Sequence, residues 1–186
     1  MKIAPRAKLL ALCSLFALPI VASLLAYRYL RPTPTANYGE LLLPPRLVTA
    51  QMFERVNGGR FTFADLEGKW ALVTSDSGAC AMPCIDKLSA LRQIRLALGR
   101  NAGRIERVLV IDDTQAPDRA AFAPFDGMVV AVTPLGMALP PGAGNDRAHV
   151  YLVDPHGNVM MRWPASPDPR RMHRDLERLL KASQIG

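Results

Sequence analysis

Apolar residues along the chain follow distinct rhythms, and each rhythm predicts an element. Residues 9 to 27, LLALCSLFALPIVASLLAY, are uncharged throughout and long enough to cross a bilayer as one helix. Short, largely apolar runs at 70 to 75 (WALVTS), 105 to 112 (IERVLVID) and 149 to 153 read as buried strands, and 127 to 133 (GMVVAVT) as a further strand or the end of a crossover. Between the first two of these, Ile85, Leu88, Leu91, Ile94 and Leu98 recur at helical spacing. Pro83 is placed in the first turn of that helix and Gly99 beyond its end. Phe61, Phe63 and Leu66 beside Gly58-Gly59 suggest a small hairpin, followed by a turn at Leu66-Glu67-Gly68-Lys69. A short helical stretch is expected near Pro117 to Phe122, and 135 to 144 is a loop by composition. The turn Asp154-Pro155-His156-Gly157 should return the chain as Asn158 to Trp163. Arg170 to Lys181 closes it as an amphipathic helix with Met172, Leu176, Leu179 and Leu180 on one face.

Strands alternating with helices, then a hairpin and a final helix, predict a three-layer α/β domain around a central mixed sheet, preceded by one transmembrane helix. The expected organisation is an anchor over 1–30, a Pro-rich linker over 31–47 and the folded domain over 48–186, with domain-like residues starting near Tyr38. The absence of a small-residue cleavage site before Tyr27-Arg28-Tyr29 favours an uncleaved anchor over a signal peptide. Lys2, Arg6 and Lys8 outnumber Arg28 and Arg31, which keeps the N-terminus in the cytoplasm and exports the domain.

The formal charge of +7 changes this picture little once it is located. Five of the 23 Lys and Arg lie in the first 31 residues, leaving 18 basic against 16 acidic side chains, so nucleic acid is not an expected partner. The cysteines change it more. Cys13 lies inside the apolar run, whereas Cys80 and Cys84 stand one turn apart at the start of a helix. A helix N-terminus favours thiolate, and such a pair can close a disulfide or hold one soft metal ion. Outside the cytoplasm the pair is expected to be oxidised unless a reductant or a metal intervenes. Neither sulfur pair nor fold requires Met82, Met160 or Met161 as ligands, since the last two are adjacent on a strand and should face opposite ways. His156 and His173 read as surface residues. Asp76 reads as a turn or cap residue that could also tune thiol acidity, and Asp112 and Asp113 as a polar rim or turn.

Taken in order, these features resemble the Sco/SenC family of copper-handling proteins, which share the thioredoxin fold. The matching residues are Phe61-Thr62-Phe63-Ala64-Asp65-Leu66, Gly68-Lys69-Trp70, the C-x-x-x-C motif at 80 to 84, Val110-Ile111-Asp112, and Tyr151-Leu152-Val153-Asp154-Pro155 with Gly157. The resemblance implies a thioredoxin-like domain in which Cys80, Cys84 and one later histidine bind a single copper ion, Cu(I) or Cu(II). The family's usual histidine spacing, five residues before the aromatic, falls on Asp146, so either His149 is the third ligand in a displaced position or the third ligand has been lost. In a sheet of this kind the loop before 149 to 153 faces the cysteine loop. It reads Arg147-Ala148-His149, without the proline that an ordinary thiol oxidoreductase carries there.

Two functions follow. The first is a membrane-anchored copper chaperone for assembly of a respiratory cytochrome c oxidase, acting on an oxidase subunit or another copper-site protein from the outer side of a bacterial-type inner membrane. The second is an exported thiol-disulfide oxidoreductase without metal, in which Cys80 attacks and Cys84 resolves. Both place the functional pair at an accessible helix entrance. A thiol peroxidase is excluded because Val73 stands where that chemistry needs proline, and no phosphate-binding loop, dinucleotide fingerprint or zinc-finger ligand set is present.

Overall fold

A computed structural model describes residues 5–29, 37–66, 68–133, 146–183 and 185. The expected loop at 135 to 144, the first part of the linker and Glu67 lie outside these. The chain divides into two units, residues 1–36 and 37–186. In the first, helix α1 (Pro5–Tyr29) carries the apolar run, with Pro19 inside it. It is long and apolar enough to cross a membrane, with mean hydropathy 1.6 over Leu12–Tyr29.

Among the described residues the second unit is built on a mixed sheet of eight strands, β1 (Glu40–Leu47), β2 (Met52–Arg55), β3 (Arg60–Thr62), β4 (Trp70–Asp76), β5 (Ile105–Ile111), β6 (Met128–Val132), β7 (His149–Val153) and β8 (Asn158–Pro164), in the order β1-β8-β7-β4-β5-β6-β2-β3. Its centre is β4 (Trp70–Asp76) and β5 (Ile105–Ile111), which pair in parallel, with β6 (Met128–Val132) parallel on the far side of β5. β7 (His149–Val153) runs antiparallel to β4 and forms a hairpin with β8 (Asn158–Pro164). The central strands are apolar on both faces because both are covered. A single helical turn, α3 (Arg119–Phe122), follows β5 where a short helical stretch is expected. On one face α2 (Met82–Ala97) and α4 (Pro169–Ala182) lay Leu91, Ile94, Met172, Leu176 and Leu180 against Leu72, Ile105, Val150 and Leu152. On the other, Val73, Val110, Ala131 and Tyr151 meet Phe53, Phe61 and Phe63 from the hairpin β2 (Met52–Arg55) and β3 (Arg60–Thr62) and the 3₁₀ turn after it. That face is therefore covered by side chains of the opening segment, whose hairpin is itself the margin of the sheet. The three rings stack edge to tilted at 5.4 to 6.1 Å between centroids.

Two expectations are corrected. The linker drawn to residue 47 is shortened, because β1 (Glu40–Leu47) is an edge strand paired with β8; the compact unit starts at Asn37, beside the expected start near Tyr38. Pro44 and Pro45 obscure it in the sequence. An edge strand tolerates them because one side needs no ladder donors, and the register shifts between Leu41 and Arg46. Met160 and Met161 do not face opposite ways in effect: the ladder between β7 and β8 also shifts register there, and both pack on the α2–α4 core.

The start of the domain is fastened to α4 by one buried carboxylate. Asp175, 3% exposed, accepts hydrogen bonds from the N–H groups of Tyr38 (3.1 Å) and Gly39 (2.8 Å) and from Trp163 Nε1 (3.0 Å). Gly39 lies flush on the indole, since a Cβ there would stand 2.5 Å from Trp163 Nε1. Arg171 stacks its guanidinium over Tyr38 at 4.2 Å.

Candidate functional site: the Cys80–Cys84 disulfide

β4 delivers the chain to the cysteine loop, and the neighbouring loops hold that loop in place. Gly78 is clamped: its N–H donates to Asp113 Oδ1 (3.1 Å), its carbonyl accepts from Asp118 N–H (3.0 Å), and a Cβ would stand 2.1 Å from the Gln115 carbonyl oxygen. Cys80 N–H then turns back to the Ser77 carbonyl (3.0 Å), and Cys80 takes φ +38°, a left-handed conformation that a residue with a Cβ rarely adopts. α2 starts at Met82, with no side-chain cap from Ala81 and Pro83 in its first turn, and Cys84 follows within that turn. This brings the two Cα atoms to 5.2 Å, and Cys80 and Cys84 are joined as a disulfide.

The bonded pair is buried, at 4% and 2% exposure, in a cluster with Leu88, Leu109, Ile111, Phe122 and Phe125. The expectation of an accessible helix entrance is therefore corrected for the oxidised form. Ala79, Ala81, Met82 and Pro83 are exposed around it, while the sulfurs sit beneath on the β5 side of the helix.

Charged groups surround the loop: the sequence marked Asp76, Asp112 and Asp113, but not Lys87 or the ion pairs of Arg147. Lys87, whose side chain is 4% exposed, points along the apolar stripe of α2 and binds Asp76 Oδ2 (2.8 Å), the Ser75 carbonyl (3.0 Å) and the Arg147 carbonyl (3.2 Å). It ties the end of β4, α2 and the loop before β7 together. The signal available beforehand was a lysine between Cys84 and Leu88 on the buried face, which needs a partner acid. Asp76 also accepts from Ser77 N–H (2.9 Å), which fits its reading as a turn residue. Arg147 makes a fork to Asp112 (Nε at 3.0 Å) and reaches Asp113 (3.0 Å), which in turn holds the Gly78 N–H, so the described residues just before β7 lie beside the cysteine loop. The same contacts raise the Arg147 pKa, the hydrogen bond to Asp112 foremost.

Burial alone would raise the pKa of Asp113. Hydrogen bonds from Ser77, the Gly78 N–H, Arg147 and the Gln115 N–H outweigh it and bring the carboxyl down to about 2. A depressed carboxyl stabilises the fold above its ordinary pKa near 3.8, and that contribution is lost as pH falls through about 2. Asp113→Asn is therefore expected to lower stability at pH 7 and to flatten the pH dependence of denaturant unfolding between about 4 and 2. An unchanged acid limb would show that Asp113 is not part of the clamp.

His149 is not brought to the sulfurs. It opens β7 on the face of Tyr151 and Val153, which pack with the phenylalanine cluster, whereas Cys84 belongs to the helix layer opposite. Its Nδ1 pairs with Asp146 Oδ2 at 2.6 Å, and the Tyr151 hydroxyl donates to the same oxygen. Burial would raise the Asp146 pKa, but these two groups and the Ala148 N–H hold it below the ordinary value. Burial and then Asp146 push Tyr151 up to about 12. Among the described residues no three His, Cys, Asp or Glu side chains converge on a metal position. The expected Cys₂His donor set is thus not assembled; the two sulfurs alone are. His156 is exposed in its turn, and His173 Nε2 lies 3.2 Å from the Ala97 carbonyl.

Residues 70–183 match the family described as transmembrane-like, thioredoxin-like, C-terminal domain. The chain belongs to that family. No curated protein matches it by sequence. Among solved structures, copper-bound yeast Sco1 is 18% identical with a TM-score of 0.64, covering 75% of this chain and 95% of its own. Apo Sco1 from Thermus thermophilus is 19% identical with a TM-score of 0.63, covering 77% and 97%. BsSco, a member of the Sco family of cytochrome c oxidase assembly proteins in which a disulfide switch was identified, is 15% identical with a TM-score of 0.57, covering 77% and 96%. At these identities the likeness establishes the thioredoxin-like fold of the Sco structures. Together with α1, the family's transmembrane-like description fits a membrane-anchored protein.

Proposed function

We propose that the chain is a membrane-tethered, Sco-like factor that serves assembly of a respiratory cytochrome c oxidase copper site through the Cys80–Cys84 couple. The observation that carries this reading is a disulfide closed at the first turn of α2, on a fold shared with Sco proteins. The anchor would lie in a bacterial-type inner membrane with the domain on its periplasmic side. Lys2, Arg6 and Lys8 before the apolar run support that orientation, and the oxidised pair suits an oxidising compartment.

The geometry favours thiol-disulfide exchange as the chemistry. In the reduced form the Cys80 thiolate attacks one sulfur of a partner disulfide and displaces the other as thiolate. Cys84 thiolate then attacks Cys80 Sγ, which frees the partner as a dithiol and restores the disulfide. Two electrons pass to the partner, and an exported dithiol reductant must recharge the pair. Burial of the bonded sulfurs means that the loop has to move before either sulfur can be reached.

A second reading is supported by the likeness to copper-bound yeast Sco1: the reduced pair carries copper as cargo. Two thiolates suit soft Cu(I), and metal binding then requires prior reduction. Cys80 and Cys84 are its ligands, and His149 joins them only by leaving Asp146. The two readings separate on the purified reduced domain. Exchange activity that survives chelators and His149→Ala, with no retained copper, supports the first. About one copper per chain, lost in Cys80→Ser and in Cys84→Ser, supports the second. A domain that does neither overturns both.

A further inference from the structure

The near balance of charge along the domain sequence conceals a segregation in space. Arg170, Arg171, Arg174, Arg178 and Lys181 are all exposed on α4, where Asp175 is buried and Glu177 is the exposed acid. Arg100, on the 3₁₀ turn that precedes β5, adds a further exposed cation beside them, and an open cleft is lined by Arg100, Arg104, Arg174, Glu177, Arg178 and Lys181. Arg104 fixes this corner by donating from Nη1 to the Leu180 carbonyl (2.8 Å) and from Nη2 to that of Ser183 (3.0 Å). The cleft lies where β5 begins. The cysteines lie where β4 ends, so the two occupy opposite ends of the parallel strands.

The place where the chain enters the domain is also on α4. Tyr38 and Gly39 are bonded to Asp175, and Arg171 covers the Tyr38 ring. Only residues 30 to 37 separate Tyr38 from the end of α1. Whatever the arrangement of the two units, that length of chain reaches at most roughly 30 Å when fully extended. A basic helix face beside the tether of a membrane-anchored protein is thereby held within reach of a lipid surface at all times.

We propose that the exposed face of α4, with Arg100, docks on anionic phospholipid headgroups of the membrane that holds α1. The inference takes the anchor reading as given. It goes beyond the cysteine chemistry, because it assigns a partner to the end of the domain that the chemistry leaves unused. The shape of the cleft is not specific for one headgroup; the chemistry recognised is a phosphate-bearing anionic surface, to which each cation near the plane contributes. An acidic protein partner would use the same cations, but the short tether favours the lipid.

Among the described residues the three core clusters are built from side chains of 37–186, and this compact unit is tested without α1. Its sedimentation with vesicles of phosphatidylcholine alone is compared with vesicles that also contain phosphatidylglycerol. Binding is expected to the anionic vesicles only and to disappear at about 1 M salt, where the screening length falls to about 3 Å. R174Q/R178Q/K181Q is expected to bind roughly a hundredfold more weakly, from about fivefold per cation. Should that variant fold poorly, R100Q/K181Q and the salt dependence of the wild type provide the same readout. Equal binding to neutral vesicles, no binding to anionic ones, or undiminished binding by the folded variants overturns the proposal. Alkaline extraction of the full chain from membranes tests the anchor separately, so a failure of that reading is distinguishable.

Discussion

Lys87→Met is expected to destabilise the domain by about 3 kcal/mol and to loosen the cysteine loop with it. The methionine fills much of the same volume but leaves the Asp76 carboxylate and the carbonyls of Ser75 and Arg147 without the donor that all three share. Ser75 and Asp76 end β4 and Arg147 leads into β7, so the lysine joins two segments beside the disulfide loop and the loss should be felt in the chemistry as well as in stability. For a domain of this size the melting temperature should fall by roughly 10 °C. The disulfide should also be reduced faster by an external dithiol, because opening of the loop costs less. Asp76→Asn combined with Lys87→Met should cost less than the sum of the two single changes, since neither then leaves an unpaired charge. A single-variant loss below about 1 kcal/mol, measured by denaturant unfolding, would show that solvent replaces the lysine and that the pair is not structural.

Asp175→Ala is expected to cost a similar amount, about 3 kcal/mol, by orphaning three donors in one place. The affected groups are the N–H of Tyr38, the N–H of Gly39 and Trp163 Nε1, and Asp175 is almost fully enclosed by them. The consequence differs from that of Lys87. The chain start should come away from α4 while the cysteine loop stays intact, so Trp163 fluorescence should shift with little change in the rate of disulfide reduction. Asp175→Asn, which keeps one acceptor oxygen, should recover part of the loss. If Asp175→Ala instead alters disulfide reduction as strongly as Lys87→Met, the two ends of the domain are coupled, and their independence in this account is wrong.

Much of the fold was legible because the strands and helices follow their own periods closely. The runs at 70 to 75, 105 to 112 and 149 to 153 and the helix after Pro83 are found within a residue or so of the expected positions. β1 was not legible, because two prolines read as linker unless one knows that the strand lies at an edge. The pairing at the site was legible from the spacing of Cys80 and Cys84 and from the helix that follows. Its burial was not, because Phe122 and Phe125 arrive from a segment with no periodic pattern. The fate of His149 was equally hidden. Nothing in a linear string tells which face a strand's first residue takes, and the acceptor that claims its ring, Asp146, looks like any loop aspartate.

The two prolines of β1 have a further effect on how copies of this protein meet. An outermost strand with free ladder groups invites a second molecule to continue the sheet, and this one presents Leu43 and Leu47 to solvent at 82% and 61%. Pro44 and Pro45 offer no N–H and interrupt the ladder midway, and at the opposite margin β3 is only three residues long. Both borders are therefore poor templates for an intermolecular ribbon.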